Sequence, residues 1–189
     1  MKKKQIKYIK MTIKHRSNLD LLMKELNVFG EVAEIGVAEG RFSLEILNWG
    51  VPKLYLVDIW ESKPFYGDAA SPQDWHDKNY REAQERVAEF SDKVVFLRGL
   101  SSERAKDIPD NSLGMVYLDA CHTYEAVLED LHNYLPKLVH GGIMAGHDFL
   151  GKAYGVERAV REFAEKYNYQ VNLIEEDSPE NASFWFQKL

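Results

Sequence analysis

The 189 residues, 45% hydrophobic and 29% charged, are those of an ordinary globular domain, long enough to bury a full core without disulfide or metal staples. No apolar run approaches the ~20 residues of a membrane span. The lysine-rich start lacks the apolar core of a secretory signal, and the single cysteine, Cys121, excludes an internal disulfide and points to a reducing cytoplasm. A net charge of −6 argues against a nucleic-acid partner, which favours a basic face.

The chain divides into a basic arm over residues 1–16, an N-terminal helix over 17–30 and a core over 31–189, read as one domain. The arm carries Lys2, Lys3, Lys4, Lys7, Lys10, Lys14 and Arg16, and reads as a solvated segment. Ser17 and Asp20 open the helix, and Leu19, Leu22, Met23 and Leu26 recur on one face before Gly30 closes it. Glu31 to Ile35 then forms a short apolar strand followed by Gly36 and Gly40, a turn, and a helix containing Phe42, Leu44, Ile46 and Leu47. This is the strand–turn–helix grammar of a doubly wound α/β domain, whose ligands bind at the strand ends.

The glycine spacing separates two cofactor classes. A dinucleotide fingerprint starting at Gly36 needs glycines where Ala38 and Arg41 stand, and Glu34 would repel a pyrophosphate. A carboxylate before the turn suits a ligand with a cationic end. Lys53 to Ile59 reads as the second strand, almost wholly apolar until Asp58, as expected in a buried parallel sheet. The Trp60–Ser71 stretch is a long loop, and for its Trp60, Phe65 and Tyr66, with Trp75 beyond, core packing is the default reading and a wall against an apolar or sugar-ring ligand the alternative. Ser71-Pro72-Gln73-Asp74 opens the next helix, and Tyr80, Ala83, Val87 and Phe90 give its period.

Val94 to Gly99 is the third strand, with Ser101 or Ser102 capping a short helix, and Leu113 to Asp119 is the fourth. A helix carrying Val127, Leu128, Leu131 and Leu135 is ended by Pro136, and Gly141-Gly142 is expected to turn into a fifth strand over Ile143 to Asp148. A helix near Val156 to Lys166, a strand near Tyr169 to Ile174, a turn at Ser178-Pro179-Glu180-Asn181 and a strand through Phe184, Trp185 and Phe186 complete the chain. The expected fold is a seven-stranded, Rossmann-like, doubly wound α/β sheet, mostly parallel with an antiparallel last strand.

Asp58, 22 residues after Gly36 at a strand end, can accept both hydroxyls of a ribose and so fits a nucleoside ligand. Asp119 and His122 follow the fourth strand, and His147 and Asp148 end the fifth, so acids and imidazoles converge on one edge. Such a set suits Mg²⁺ or Mn²⁺, the alternative being that these groups only cap strands and helices. His15, His76, His132 and His140 read as packing or surface histidines, and Cys121 as a small semi-buried side chain.

The Glu34-x-Gly36-x-x-x-Gly40 stretch resembles the first motif of class I S-adenosylmethionine (SAM) methyltransferases, with Ala38 where the family prefers Gly. Asp119, Glu129-Asp130-Leu131, Leu135-Pro136-Lys137-Leu138, Gly141-Gly142 and Gly146-His147-Asp148 are similar to the group containing the cation-dependent O-methyltransferases, a likeness that runs from Glu31 onward. The resemblance implies SAM binding by Glu34, Gly36, Val37, Gly40, Asp58, Ile59 and Asp119, with Gly99, Leu100 and Ser101 around the adenine. It places Asp119, His147 and Asp148 at the family's cation site, His147 standing where the family has Asp, and His122 where the family has a general-base lysine. The implied activity is methyl transfer to a hydroxyl of a small molecule, a sugar or phenol, by a cytoplasmic enzyme with a homo-oligomer as one arrangement. An NAD-dependent oxidoreductase and a non-catalytic SAM-binding domain are the rival readings.

Overall fold

The computed structural model describes residues 13–63, 70–150, 155–174 and 182–189. In chain order it contains α1 (Leu19–Glu25), β1 (Glu31–Ile35), α2 (Arg41–Asn48), β2 (Leu54–Asp58), α3 (Gln73–Arg86), β3 (Val94–Arg98) and α4 (Ser101–Arg104). β4 (Leu113–Leu118), α5 (Tyr124–Tyr134), β5 (Leu138–Gly146), α6 (Val156–Tyr167), β6 (Asn172–Ile174) and β7 (Ser183–Gln187) follow. The strands form one seven-stranded sheet in the order β3-β2-β1-β4-β5-β7-β6. The pairings from β3 to β5 are parallel, and β7 is antiparallel to both β5 and β6. The expected sheet is therefore present, last strand included.

Alternation along the strands splits the core in two. Val32, Leu54, Leu56, Met115 and Tyr117 point to one face, where they meet Leu22 of α1, Ile46 of α2 and Ala83 of α3. Ala33, Ile35, Tyr55, Val57, Val116 and Leu118 point to the other, against Leu131 of α5 and Phe163 of α6. Helices on both faces leave the central strands no solvated side, which is why their sequences are continuously apolar. α6 shows how a helix is committed to this arrangement. Val156, Ala159, Val160, Phe163 and Ala164 form one buried stripe, and each large side chain so buried stabilises by about 1.5–3 kcal/mol.

Several boundaries differ from the sequence reading: the sixth strand is confined to Asn172–Ile174, and α3 ends at Arg86 with a 3-10 turn at Ala88–Phe90 beyond it. The N-terminal helix is shorter: Arg16–Asn18 form a 3-10 turn and α1 ends at Glu25. Gly141-Gly142 does not turn into a strand but lies within β5, which begins at Leu138. There the register with β4 advances two residues on one strand and five on the other, so the extra residues form a bulge. The bulge is held by Gly141 N–H donating to the Lys188 carbonyl, 2.8 Å. Pro136 does end α5, which passes into a 3-10 turn at Leu135–Lys137. Phe65, Tyr66 and the Ser178–Asn181 turn lie outside the described residues.

Because β1 connects to β2 on one side and pairs with β4 on the other, the chain reverses direction around β1. The crevice at the carboxyl ends of β1 and β4 is where such a sheet binds ligands.

Candidate active site

A cavity of about 460 Å³ opens along the carboxyl ends of the strands, from Gly99–Ser101 after β3 to Asp148 after β5. That volume suits a small-molecule ligand. Of the predicted cofactor residues, Glu34, Gly36, Val37, Asp58, Ile59, Gly99, Leu100, Ser101 and Asp119 line it, as do His122 and Asp148. Gly40 is not in the lining. It sits below the cavity at the start of α2, in contact with Ala83.

The β1–β2 end is built from backbone. Asp58 Oδ2 accepts from the amides of Val37 and Ala38, 2.8 and 2.9 Å, and its Oδ1 from the amide of Trp60, 3.0 Å. The Trp60 indole in turn donates to the Ala38 carbonyl, 2.9 Å. Gly36 has φ +89°, and a Cβ there would stand 1.9 Å from the Asp119 carbonyl oxygen. Only glycine lets β1 and β4 approach so closely at this point. Glu34 is buried and accepts from the Ser43 hydroxyl. Burial pushes its carboxyl up to about 8, against the lowering effect of that hydrogen bond.

The β4–β5 end is built from side chains. His122 Nε2 lies 3.1 Å from Asp148 Oδ2 and 3.5 Å from Asp119 Oδ1. His147 Nδ1 lies 3.2 Å from Asp148 Oδ2 and 3.8 Å from Asp119 Oδ1. Arg16 donates to Asp119 Oδ2 at 3.3 Å and to the Tyr117 hydroxyl at 3.4 Å, with its guanidinium over the Phe42 ring. Burial raises the Asp148 pKa, but the hydrogen bond from His147 and the charges of His147, His122 and Arg16 outweigh it. The carboxyl is held below its usual range. Asp119, His122 and Asp148 each present a ligand atom, all within 4.8 Å of one another. The predicted cation set had His147 as its third member, and in this triad His122 takes that place.

Six non-glycine residues among those described have positive φ: Asn27, Ala38, Trp60, Asn111, Asp148 and Asn168. The three asparagines are ordinary turn and cap residues. Ala38, Trp60 and Asp148 all line the cavity, and backbone held in this region by residues other than Asn or Gly clusters at functional sites. The φ of +49° at Ala38 also accounts for the family's preference for Gly there.

Other cavity residues were not foreseen from sequence. Arg16, assigned to the basic arm, enters beside Asp119. His76, read as a packing histidine, lies with Asn79 in the wall formed by α3. Asp130, outside the lining, sits behind Ser101 and accepts its hydroxyl at 2.6 Å. Only His76 carried a signal, since it falls seven residues before the buried Ala83 on the same helix face. Trp60 and Trp75 line the cavity, and Trp60 is at the same time buried in the core, as the packing reading expects.

Strand order, the glycine turn and the strand-end acid at Asp58 together define a class I SAM-dependent methyltransferase. Residues 33–149, more than half of the chain, match the family model described as "Methyltransferase domain", and the chain belongs to that family. The fold is similar to that of the O-methyltransferase NovP, 21% identical over 91% of this chain and 77% of that one, TM-score 0.67. It is also similar to the O-methyltransferase TomG of Streptomyces achromogenes, solved with SAM: 16% identical, covering 92% and 79%, TM-score 0.65. Spermidine synthase of Thermotoga maritima shares the fold at 13% identity, covering 93% and 61%, TM-score 0.59. No curated protein sequence matches. Membership of this family rules out the oxidoreductase reading. No helix among the described residues is long and apolar enough to cross a membrane.

Proposed function

We propose that the protein transfers the methyl group of SAM to a hydroxyl of a small molecule, with His122 as general base. The observation that carries this reading is the position of His122. Its Nε2 faces Asp148 and Asp119 at the cavity end opposite Asp58. SAM supplies an electrophilic methyl on a sulfonium, whose sulfur keeps the bonding electrons as the new carbon–oxygen bond forms. The hydroxyl proton passes to the imidazole of His122, and the two carboxylates stabilise the charge acquired. Asp58, Ile59 and the Gly99–Ser101 edge hold the nucleoside, and Gly36, Val37 and Asp119 hold the amino-acid end. Arg16 is suited to that end's carboxylate.

The Asp119–His122–Asp148 triad favours a second version of the same chemistry, in which these three residues would hold Mg²⁺ or Mn²⁺, an ion that would lower the pKa of a nearby hydroxyl. Two carboxylates and an imidazole fit such an ion, and His147 stands next to them. A small acceptor accords with the negative net charge. We take residues 31–189 as the catalytic core, residues 17–30 as its N-terminal helix and residues 1–16 as an arm whose last residue reaches the site. We also expect a cytoplasmic enzyme, in which a second copy can complete the acceptor pocket.

The test is release of S-adenosylhomocysteine (SAH) from SAM across a panel of sugar, catechol and simple phenol acceptors, run with EDTA, Mg²⁺ and Mn²⁺. Turnover of a hydroxyl acceptor that His122→Ala abolishes supports the reading. Turnover unaffected by that change sinks His122 as the base, and methylation of amines alone sinks the hydroxyl. Loss of turnover in EDTA selects the cation-assisted version.

A further inference from the structure

We infer that His76 and Asn79 complete the ribose site that Asp58 leaves unfilled, so that the nucleoside diol is gripped from α3 as well as from β2. The inference rests on the SAM reading above. A carboxylate offers about four lone-pair sites. Three backbone amides, those of Val37, Ala38 and Trp60, already occupy Asp58. A vicinal diol brings two O–H donors and two oxygens that accept. Asp58 therefore has room for about one of the donors, and the other needs a second partner in the same cavity.

α3 supplies the groups. His76 and Asn79 are 4% and 6% exposed and line the same cavity as Asp58. His76 Nε2 and Asn79 Nδ2 are buried and have no hydrogen-bond partner among the described residues. More than nine in ten buried polar groups are paired, so two such atoms one helical turn apart, in the wall of a ligand cavity, point to a ligand. An imidazole and an amide offer donor and acceptor together, which is what a hydroxyl already donating to Asp58 or seeking an acceptor requires.

Their position selects the nucleoside over the acceptor. On the same face of α3, Tyr80 packs on Trp60 and on Phe96 of β3, with ring centroids 4.8 and 5.7 Å apart, and Ala83 meets Gly40. This face therefore lies over the β2–β3 end. The His122 cluster stands at β4 and β5, and β5 is three strand spacings from β2, about 14 Å.

Calorimetric titration of SAH and of its 2′-deoxy and 3′-deoxy analogues tests the assignment, using wild type, His76→Phe, Asn79→Leu and the double variant. The double variant should bind SAH at least about tenfold more weakly. At least one deoxy analogue, about tenfold weaker than SAH on wild type, should come within about twofold of SAH on the double variant. Melting of the unliganded proteins guards against misfolding. Replacing orphaned polar groups by apolar ones of similar size should leave the melting temperature unchanged or higher. His76→Gln, which keeps a hydrogen-bonding end, should recover most of the affinity. Undiminished SAH affinity in the folded double variant overturns the ribose assignment while leaving the cofactor in place. So do deoxy penalties equal to those of wild type. Failure of wild type to bind SAH overturns the cofactor reading itself.

Discussion

The two ends of the cavity are made differently. At β1–β2, positions are fixed by main chain: three amides on Asp58, a carbonyl under the Trp60 indole and a glycine pressed against the Asp119 carbonyl. At β4–β5, the geometry is a cluster of His122, His147, Asp119, Asp148 and Arg16 whose side chains keep 15–27% of their surface. Main-chain positioning gives an end that tolerates little change in shape, as a common cofactor requires. Side-chain positioning gives an end whose charge and proton affinity can be set residue by residue, as chemistry on an acceptor requires. Gly36 is where the two ends touch.

Breaking that junction should have the largest effect. Gly36→Ala puts a Cβ into backbone that cannot move aside, and the expected loss is about 4 kcal/mol or more, enough to prevent folding. Gly50→Ala is the control. Its φ of +83° is similar, but nothing lies within 4 Å, so it should cost only the ~1–2 kcal/mol of left-handed backbone. Equal melting temperatures for the two variants would show that the close approach of β1 and β4 is not what demands glycine.

Next comes the side-chain end alone. His122→Ala should lower kcat by about 10²–10⁴ while leaving the SAH dissociation constant within about threefold of wild type. A matched loss of SAH affinity would mean that the two ends are not separable. The converse change, Asp58→Ala, should weaken SAH by roughly 10–100-fold, because the anchor of the Val37, Ala38 and Trp60 amides goes with it. SAH binding that survives would place the nucleoside elsewhere.

The main-chain end was also the legible one. Gly36, Ala38 and Asp58 are constrained by local backbone, so their spacing carries the information directly. The sheet was legible for the same reason, since strands buried on both faces must be continuously apolar. The side-chain end was legible where strands end, at Asp119 and His122 after β4 and at His147 and Asp148 after β5. Arg16 was missed because nothing local brings a residue before α1 to the end of β4. His76 and Asn79 were missed because a histidine on the face of Tyr80 and Ala83 is explained as well by packing or exposure as by a ligand, and an asparagine beside it carries no signal of its own. Gly141-Gly142 was misread because a bulge and a turn demand the same residues.

Asp130 gives the smallest effect and the finest probe of the boundary between the ends, since it lies behind the cavity and touches it through Ser101. Burial pushes its carboxyl up to about 7, against the lowering hydrogen bond from Ser101. A folded pKa raised above the unfolded ~3.9 means that the folded state holds the proton more tightly. The stabilisation is complete at pH below that value and is lost as pH rises through about 7. Between pH 6 and 8 the loss is roughly 1.4 kcal/mol, or about 3–6 °C in melting temperature. Asp130→Asn keeps an acceptor for Ser101 but cannot titrate, so it should remove that part of the slope. Glu34, with its carboxyl near 8, adds its own loss of stability to both proteins across the same pH range, so the difference between wild type and variant is the quantity that reports Asp130. If wild type and variant lose stability in parallel from pH 6 to 8, Asp130 is already ionised in the folded protein and Ser101 is held by a charged group. SAH affinity should then also be flat across this range, whereas a neutral Asp130 that ionises behind Ser101 should change it along with the stability.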